Sequence, residues 1–190
     1  MAPKYFDGLS WNNITREERA FCAELFFCIR KNPESFVRFL FNEACLPSVL
    51  PGPWDTAYEV CLYRDFLHRF APEQKQEFSP KRTFDIALFS DEAIIIIEAK
   101  AAQIFTAHKA TSFSKDVNDI PRLLKRHIPI YFVALGSQTY FKNYEHRGRG
   151  KALAPFEKRH LTLEAVKKHY KNVALFDRAC EVYERSLLEA

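Results

Sequence analysis

Apolar and polar positions alternate most clearly between Arg82 and Lys100, in the stretch RTFDIALFSDEAIIIIEAK. Phe84, Ile86 and Leu88 alternate with Asp85, Ala87 and Phe89, a period of two that predicts a strand with Asp85 on the face opposite the three large apolar residues. Ala93 to Lys100 carries four consecutive isoleucines, as expected of a central strand covered on both faces, and closes in Glu98-Ala99-Lys100. Glu98 and Lys100 then share a face. Ser90-Asp91-Glu92 supplies a polar turn, and folding back about its centre pairs residues whose numbers sum to about 182 or 183. Asp85 is thereby set beside Glu98.

The same patterning predicts the flanking elements. Thr15-Arg16-Glu17-Glu18 reads as a capping box opening a helix through about Lys31, apolar nearly all round at Phe21, Leu25, Phe26 and Ile29. Asn32 caps a second helix with Pro33 at its first position, running to about Leu46. The breaker run PSVLPGP, Pro47 to Pro53, separates this N-terminal helical extension (1–52) from a core (53–136) within one domain. A helix is predicted from Thr56 to Phe70 with Glu59 at the centre of its apolar face, although Thr56-x-x-Glu59 also reads as a capping box. Lys75 to Ser79 reads as a short first strand. Thr111 to His127 is helical through Phe113, Val117, Ile120 and Leu124, with Pro121 either kinking the helix or opening a new one capped by Asp119. Ile128 to Leu135 forms the next strand. In the last segment (137–190), YFKNYEHRGRGK from Tyr140 to Lys151 reads as a basic, aromatic loop. Helices follow over Leu163–Tyr170 and Asp177–Leu188, the latter with a stripe (Ala179, Val182, Tyr183, Leu187) suited to packing or to a homodimer surface.

At 190 residues, 47% of them hydrophobic and 18 of them Phe, the chain is long enough to bury a real core. Five cysteines, odd in number and without a CxxC spacing, point to reduced thiols rather than to disulfides or a zinc site. No apolar leader is evident at the N-terminus and no apolar run is long enough to span a bilayer, so a cytoplasmic location is expected. The net charge of +4 permits an anionic partner without demanding one.

Two carboxylates and a lysine at one end of an otherwise apolar hairpin are the candidate chemistry. Buried like charges raise one another's pKa and need a cation or a proton between them. A divalent metal resolves this, and oxygen-only ligands favour Mg²⁺ or Mn²⁺ over zinc. A plainer alternative makes Lys100 a salt-bridge partner of Glu98 and leaves Asp85 a strand residue. Glu77 is a weaker rival ligand, and Glu24, among Phe21, Leu25 and Cys28, suits a buried or interfacial ion pair better than a site.

An aspartate in one strand, a Glu-x-Lys closing the next and an acidic helix before them resemble the PD-(D/E)XK nuclease superfamily, over about residues 55 to 136. Phe84 stands where that motif carries its proline. The resemblance implies a restriction-endonuclease-like αβββαβ core, with a mixed sheet flanked by helices and extra helices at both ends. It implies Asp85, Glu98 and Glu59 at a Mg²⁺ or Mn²⁺ ion, Lys100 as the catalytic lysine, and Gln103 at the scissile strand. Arg147, Arg149 and Lys151 of the basic loop suit a phosphate backbone. The expected function is metal-dependent hydrolysis of nucleic acid, DNA foremost. The alternative is a non-catalytic nucleic-acid-binding or protein-interaction domain of the same fold.

Overall fold

Four isoleucines in a row can all be buried only if helices cover both faces of their strand, and the architecture meets that demand. The computed structural model describes residues 4–74, 78, 82–101, 103–146, 150–171 and 174–188. Its helices are α1 (Trp11–Ile14), α2 (Glu18–Lys31), α3 (Pro33–Asn42), α4 (Leu62–Phe70), α5 (Ala107–Leu124), α6 (Gln138–His146), α7 (Gly150–Leu153), α8 (Leu163–Tyr170) and α9 (Ala174–Leu188). Its strands are β1 (Asp55–Val60), β2 (Phe84–Phe89), β3 (Ile94–Ala99), β4 (Ile130–Gly136) and β5 (His160–Thr162). They form one mixed sheet in the order β1-β2-β3-β4-β5, antiparallel across β1, β2 and β3 and parallel across β3, β4 and β5. Crossover by α5 between β3 and β4 is what a parallel pair requires.

Ile94 to Ile97 are each at most 2% exposed. Ile95 and Ile97 pack with Phe21, Leu25 and Ile29 of α2, Phe36 of α3, Val166 of α8 and Phe176 of α9. Ile94 and Ile96 pack with Tyr63 of α4, Phe113 and Ile120 of α5 and Tyr140 of α6. Burial on this scale contributes about 1.5–3 kcal/mol per isoleucine, so β3 is the axis about which both layers assemble. The protein is an α/β fold, and among the described residues no helix is long and apolar enough to cross a membrane.

Several predicted elements are corrected. The segment Thr56 to Phe70 is not one helix: its first residues form β1, paired with β2, and α4 begins only at Leu62. Thr56, Tyr58 and Val60 favour a strand, and the β2 edge supplies hydrogen bonds that a helical-wheel pattern cannot reveal. No Thr56–Glu59 capping box exists. Glu59 has φ 52°, a left-handed conformation uncommon for a residue with a Cβ, close to the end of β1. The Thr15 box is also absent, because α2 starts at Glu18 with Glu17 as its N-cap. Of the predicted strand Lys75–Ser79, only Phe78 is described; it is buried and stacked on Tyr63 outside any strand, and Glu77 lies outside the described residues. Tyr140 to His146 is helical rather than a loop, because Tyr140 and Phe141 are buried core residues. α5 runs unbroken through Pro121.

A buried polar network ties α4, the start of β2 and α5 together. The Tyr63 hydroxyl donates to Asp116 Oδ1 (2.6 Å) and Arg82 Nε donates to Asp116 Oδ2 (2.9 Å). The Arg82 guanidinium lies 4.2 Å from the Phe113 ring centroid and 5.0 Å from that of Phe84. It anchors the chain three residues before Asp85.

Candidate active site

Strand register brings the carboxylates together. Ile86 pairs with Ile97, and one further step places Asp85 opposite Glu98, as the folding-back sum predicts. Asp85 Oδ2 accepts the Ala99 amide at 2.7 Å, which fixes its position at the end of the hairpin. On the other side of β2, the pairs Tyr58–Ile86 and Val60–Phe84 place Glu59 opposite Asp85. Glu59 thus reaches the site from a neighbouring strand rather than from a helix, and it pairs with Arg19 at 3.4 Å.

Glu98 and Lys100 are buried at the C-terminal end of β3, only 4% and 5% exposed. The Lys100 ammonium donates to the Ala99 carbonyl, to Glu98 Oε1 at 3.3 Å and to Glu18 Oε2 at 3.4 Å. Glu18 Oε2 also accepts the Ala101 amide at 3.0 Å, so the first residue of α2 is docked onto the chain leaving β3. Lys109, in the first turn of α5, approaches Glu98 Oε1 to 3.7 Å. Among the described residues, Glu98 Oε2 is buried with no hydrogen-bond partner.

These groups line one cleft of about 240 Å³ together with Glu17, Thr83 and Gln103. Its walls carry five carboxylates (Glu17, Glu18, Glu59, Asp85, Glu98) against three cations (Arg19, Lys100, Lys109), leaving it two charges negative. Burial, and then the nearby Asp85 charge, push the Glu98 carboxyl up to about 6 despite the opposing pull of Lys100, Lys109 and Arg82. Burial likewise raises the Glu18 carboxyl, with Lys100 and the Ala101 amide opposing it. Burial works to lower the Lys100 pKa, but Glu98, Glu18 and Asp85 outweigh it and the net shift is upward. Lys100 is therefore a held ammonium.

The sequence-predicted residues Asp85, Glu98, Lys100, Glu59 and Gln103 all line this cleft. Arg147 and Arg149 lie outside the described residues, as does the Lys151 side chain; the Lys151 backbone belongs to α7. Glu24 lies further along α2, where its charge adds to burial in raising the Cys28 thiol. Sequence reasoning missed Glu18, which was absorbed into a cap, and Lys109. Lys109 falls outside the helix predicted from Thr111; α5 begins earlier, at Ala107 with Thr106 as its cap, and this puts Lys109 in its first turn. The five cysteines are free thiols. No known family model, curated protein or solved structure matches the chain.

The candidate ligands are all oxygen donors, the kind a hard divalent cation takes, and among the described residues one buried carboxylate oxygen of Glu98 has no hydrogen-bond partner. Among the described residues no three acidic, imidazole or thiolate groups are gathered closely enough to hold a metal ion. The Lys100 ammonium bridges Glu98 and Glu18 instead.

Proposed function

We propose that this chain is a metal-dependent phosphodiesterase acting on nucleic acid, built on a restriction-endonuclease-like core. The observation that carries the reading is the buried Glu98 Oε2, without a hydrogen-bond partner among the described residues, where Asp85, Glu98 and Lys100 meet. The element order supports it once the first helix is taken as α2 and the first strand as β1: α2, β1, β2, β3, α5 and β4 then run in the αβββαβ order, with α3 and α4 inserted. Glu18, rather than Glu59, is then the carboxylate borne by the first helix.

In this reading Asp85, Glu98 and the Ala99 carbonyl hold Mg²⁺ or Mn²⁺, and Glu18 orients water beside them. The ion, when bound, lowers the pKa of its water and neutralises a phosphate oxygen. Lys100 Nζ orients the attacking water and stabilises charge developing on the phosphate. Glu98 stays buried and aligned because β3 is held on both sides by its neighbours. The deciding experiment is incubation with plasmid, linear duplex and single-stranded DNA and with RNA in Mg²⁺, Mn²⁺ and EDTA. Cleavage of none of them in either metal overturns the proposal.

Two predictions belong to individual residues. Glu18→Gln is expected to lower turnover at saturating metal roughly 10- to 100-fold, the usual effect of an outer-shell partner, and Glu59→Gln by less than about tenfold. A larger loss at Glu59 would reverse their roles. Arg19 and Lys109 stand at the rims of the acidic cleft and are assigned to phosphate contacts. Each change to Gln is expected to reduce the slope of log affinity against log salt by about 0.7–0.9, measured by fluorescence anisotropy with labelled DNA. Arg126→Gln, at the opposite end of the hairpin beside Asp91, serves as the control. Unchanged slopes for Arg19 and Lys109 would place the phosphate contacts elsewhere.

A second reading is favoured by one observation. Lys100 already balances Glu98 and Glu18, as the internal ion network of a non-catalytic binding domain would require. Such a domain should melt at the same temperature with and without Mg²⁺ or Mn²⁺.

A further inference from the structure

The Ala99 peptide is clamped at both ends: its N–H by Asp85 and its carbonyl by the Lys100 ammonium. That ammonium is also shared between Glu98 Oε1 and Glu18 Oε2. One backbone carbonyl and two carboxylate oxygens around a buried cation are the kind of donors a hard divalent ion takes. We infer that Lys100 is the resident cation of the site, and that a divalent ion enters by displacing its ammonium from Glu98 and the Ala99 carbonyl, leaving Glu18 to turn to water beside the ion.

The inference rests on the metal-dependent reading above and adds a consequence to it. A divalent ion on the Ala99 carbonyl and Glu98 would stand a few ångströms from the ammonium, whose side chain is 4% exposed, and at that distance and burial their repulsion is large. Loading the site therefore releases the Lys100 ammonium, still protonated, from Ala99 and the carboxylates. The same residue that offsets Glu98 and Glu18 in the metal-free cleft becomes the free donor beside the substrate. No bond is made or broken in this step. Glu98 trades one positive partner for another and Glu18 keeps its bond from the Ala101 amide, so the docking of α2 on the end of β3 survives the exchange.

The test compares wild type with Lys100→Met by titration calorimetry with MnCl₂ and MgCl₂ in the absence of substrate. Removing the competitor is expected to tighten metal binding by roughly tenfold or more, within the range by which groups around a metal alter its affinity. Metal binding in wild type that is equal or tighter than in the variant overturns the exchange while leaving the metal site standing. Absence of binding heat in both proteins removes the metal reading and the exchange with it. A second measurement uses the native chain and does not depend on the variant folding. Acylation of Lys100, followed by peptide mass spectrometry, is expected to be slow in EDTA, because the side chain is 4% exposed, and severalfold faster in saturating Mn²⁺. Equal labelling in both conditions contradicts the release.

Discussion

Glu98→Gln and Asp85→Asn are each expected to abolish metal-dependent cleavage, by roughly a thousandfold or more, in a protein that remains folded. Loss of one charged ligand removes several kcal/mol of transition-state stabilisation, and about 4 kcal/mol corresponds to a factor near a thousand. The isosteric amides are chosen because of the contacts these side chains make. Asp85 accepts the Ala99 amide, so Asp85→Ala would leave that donor unpaired at a cost of about 1–3 kcal/mol and confuse lost chemistry with a loosened hairpin. Asparagine keeps an acceptor and removes the charge that helps push the Glu98 carboxyl upward. Asp85→Asn is accordingly expected to melt no lower than wild type in EDTA. Cleavage that persists in either amide variant at wild-type rates places the chemistry elsewhere in the molecule.

The largest effect on stability is expected at Asp116. Its carboxylate serves both Tyr63 and Arg82, and the Asp116 and Arg82 side chains are only 7% and 15% exposed. Burial raises the Asp116 pKa, and the bonds from Tyr63 and Arg82 only partly offset it. With the folded pKa above the unfolded one, this group favours folding most at low pH, and that contribution is lost as pH rises through the folded pKa. The intact pair therefore adds little net stability at neutral pH. Breaking it is another matter, because Asp116→Ala strands a buried guanidinium. A loss of about 3–5 kcal/mol is expected, read as a lower midpoint in urea denaturation. Replacing the whole network (Tyr63→Phe, Arg82→Met, Asp116→Leu) is expected to cost clearly less than Asp116→Ala alone. If the triple variant proves the less stable of the two, the network is a net source of stability.

The two predictions draw on parts of the molecule that differ in how far they can be read from sequence. The β2–β3 hairpin is local: Asp85 and Glu98 are joined by a short polar turn, and alternation plus the isoleucine run suffice to set which residues face each other. α5 and β4 were legible for the same reason, a strong apolar period followed by a β-rich run. The aromatic residues Tyr140 and Phe141 were misread because, beside a basic stretch, core packing and nucleic-acid stacking call for the same side chains.

By itself, then, the sequence determined the hairpin, its register and the meeting of Asp85, Glu98 and Lys100, because a period of two and a short turn leave a strand little choice of partner. It also singled out Glu59 and Gln103, both of which line the cleft, with Glu59 on a strand and not on the expected helix. Only the tertiary structure decided that Thr56 to Val60 joins the sheet, since the hydrogen bonds that make it a strand come from β2. Only the packing of α2 against the sheet brings Glu18 to Ala101, a contact between residues 83 positions apart. Nothing local to Glu18 distinguishes a carboxylate that favours its own helix dipole from one that crosses to another strand's end. The buried core of Phe21, Leu25 and Ile29 against Ile95 and Ile97 fixes which of these it does.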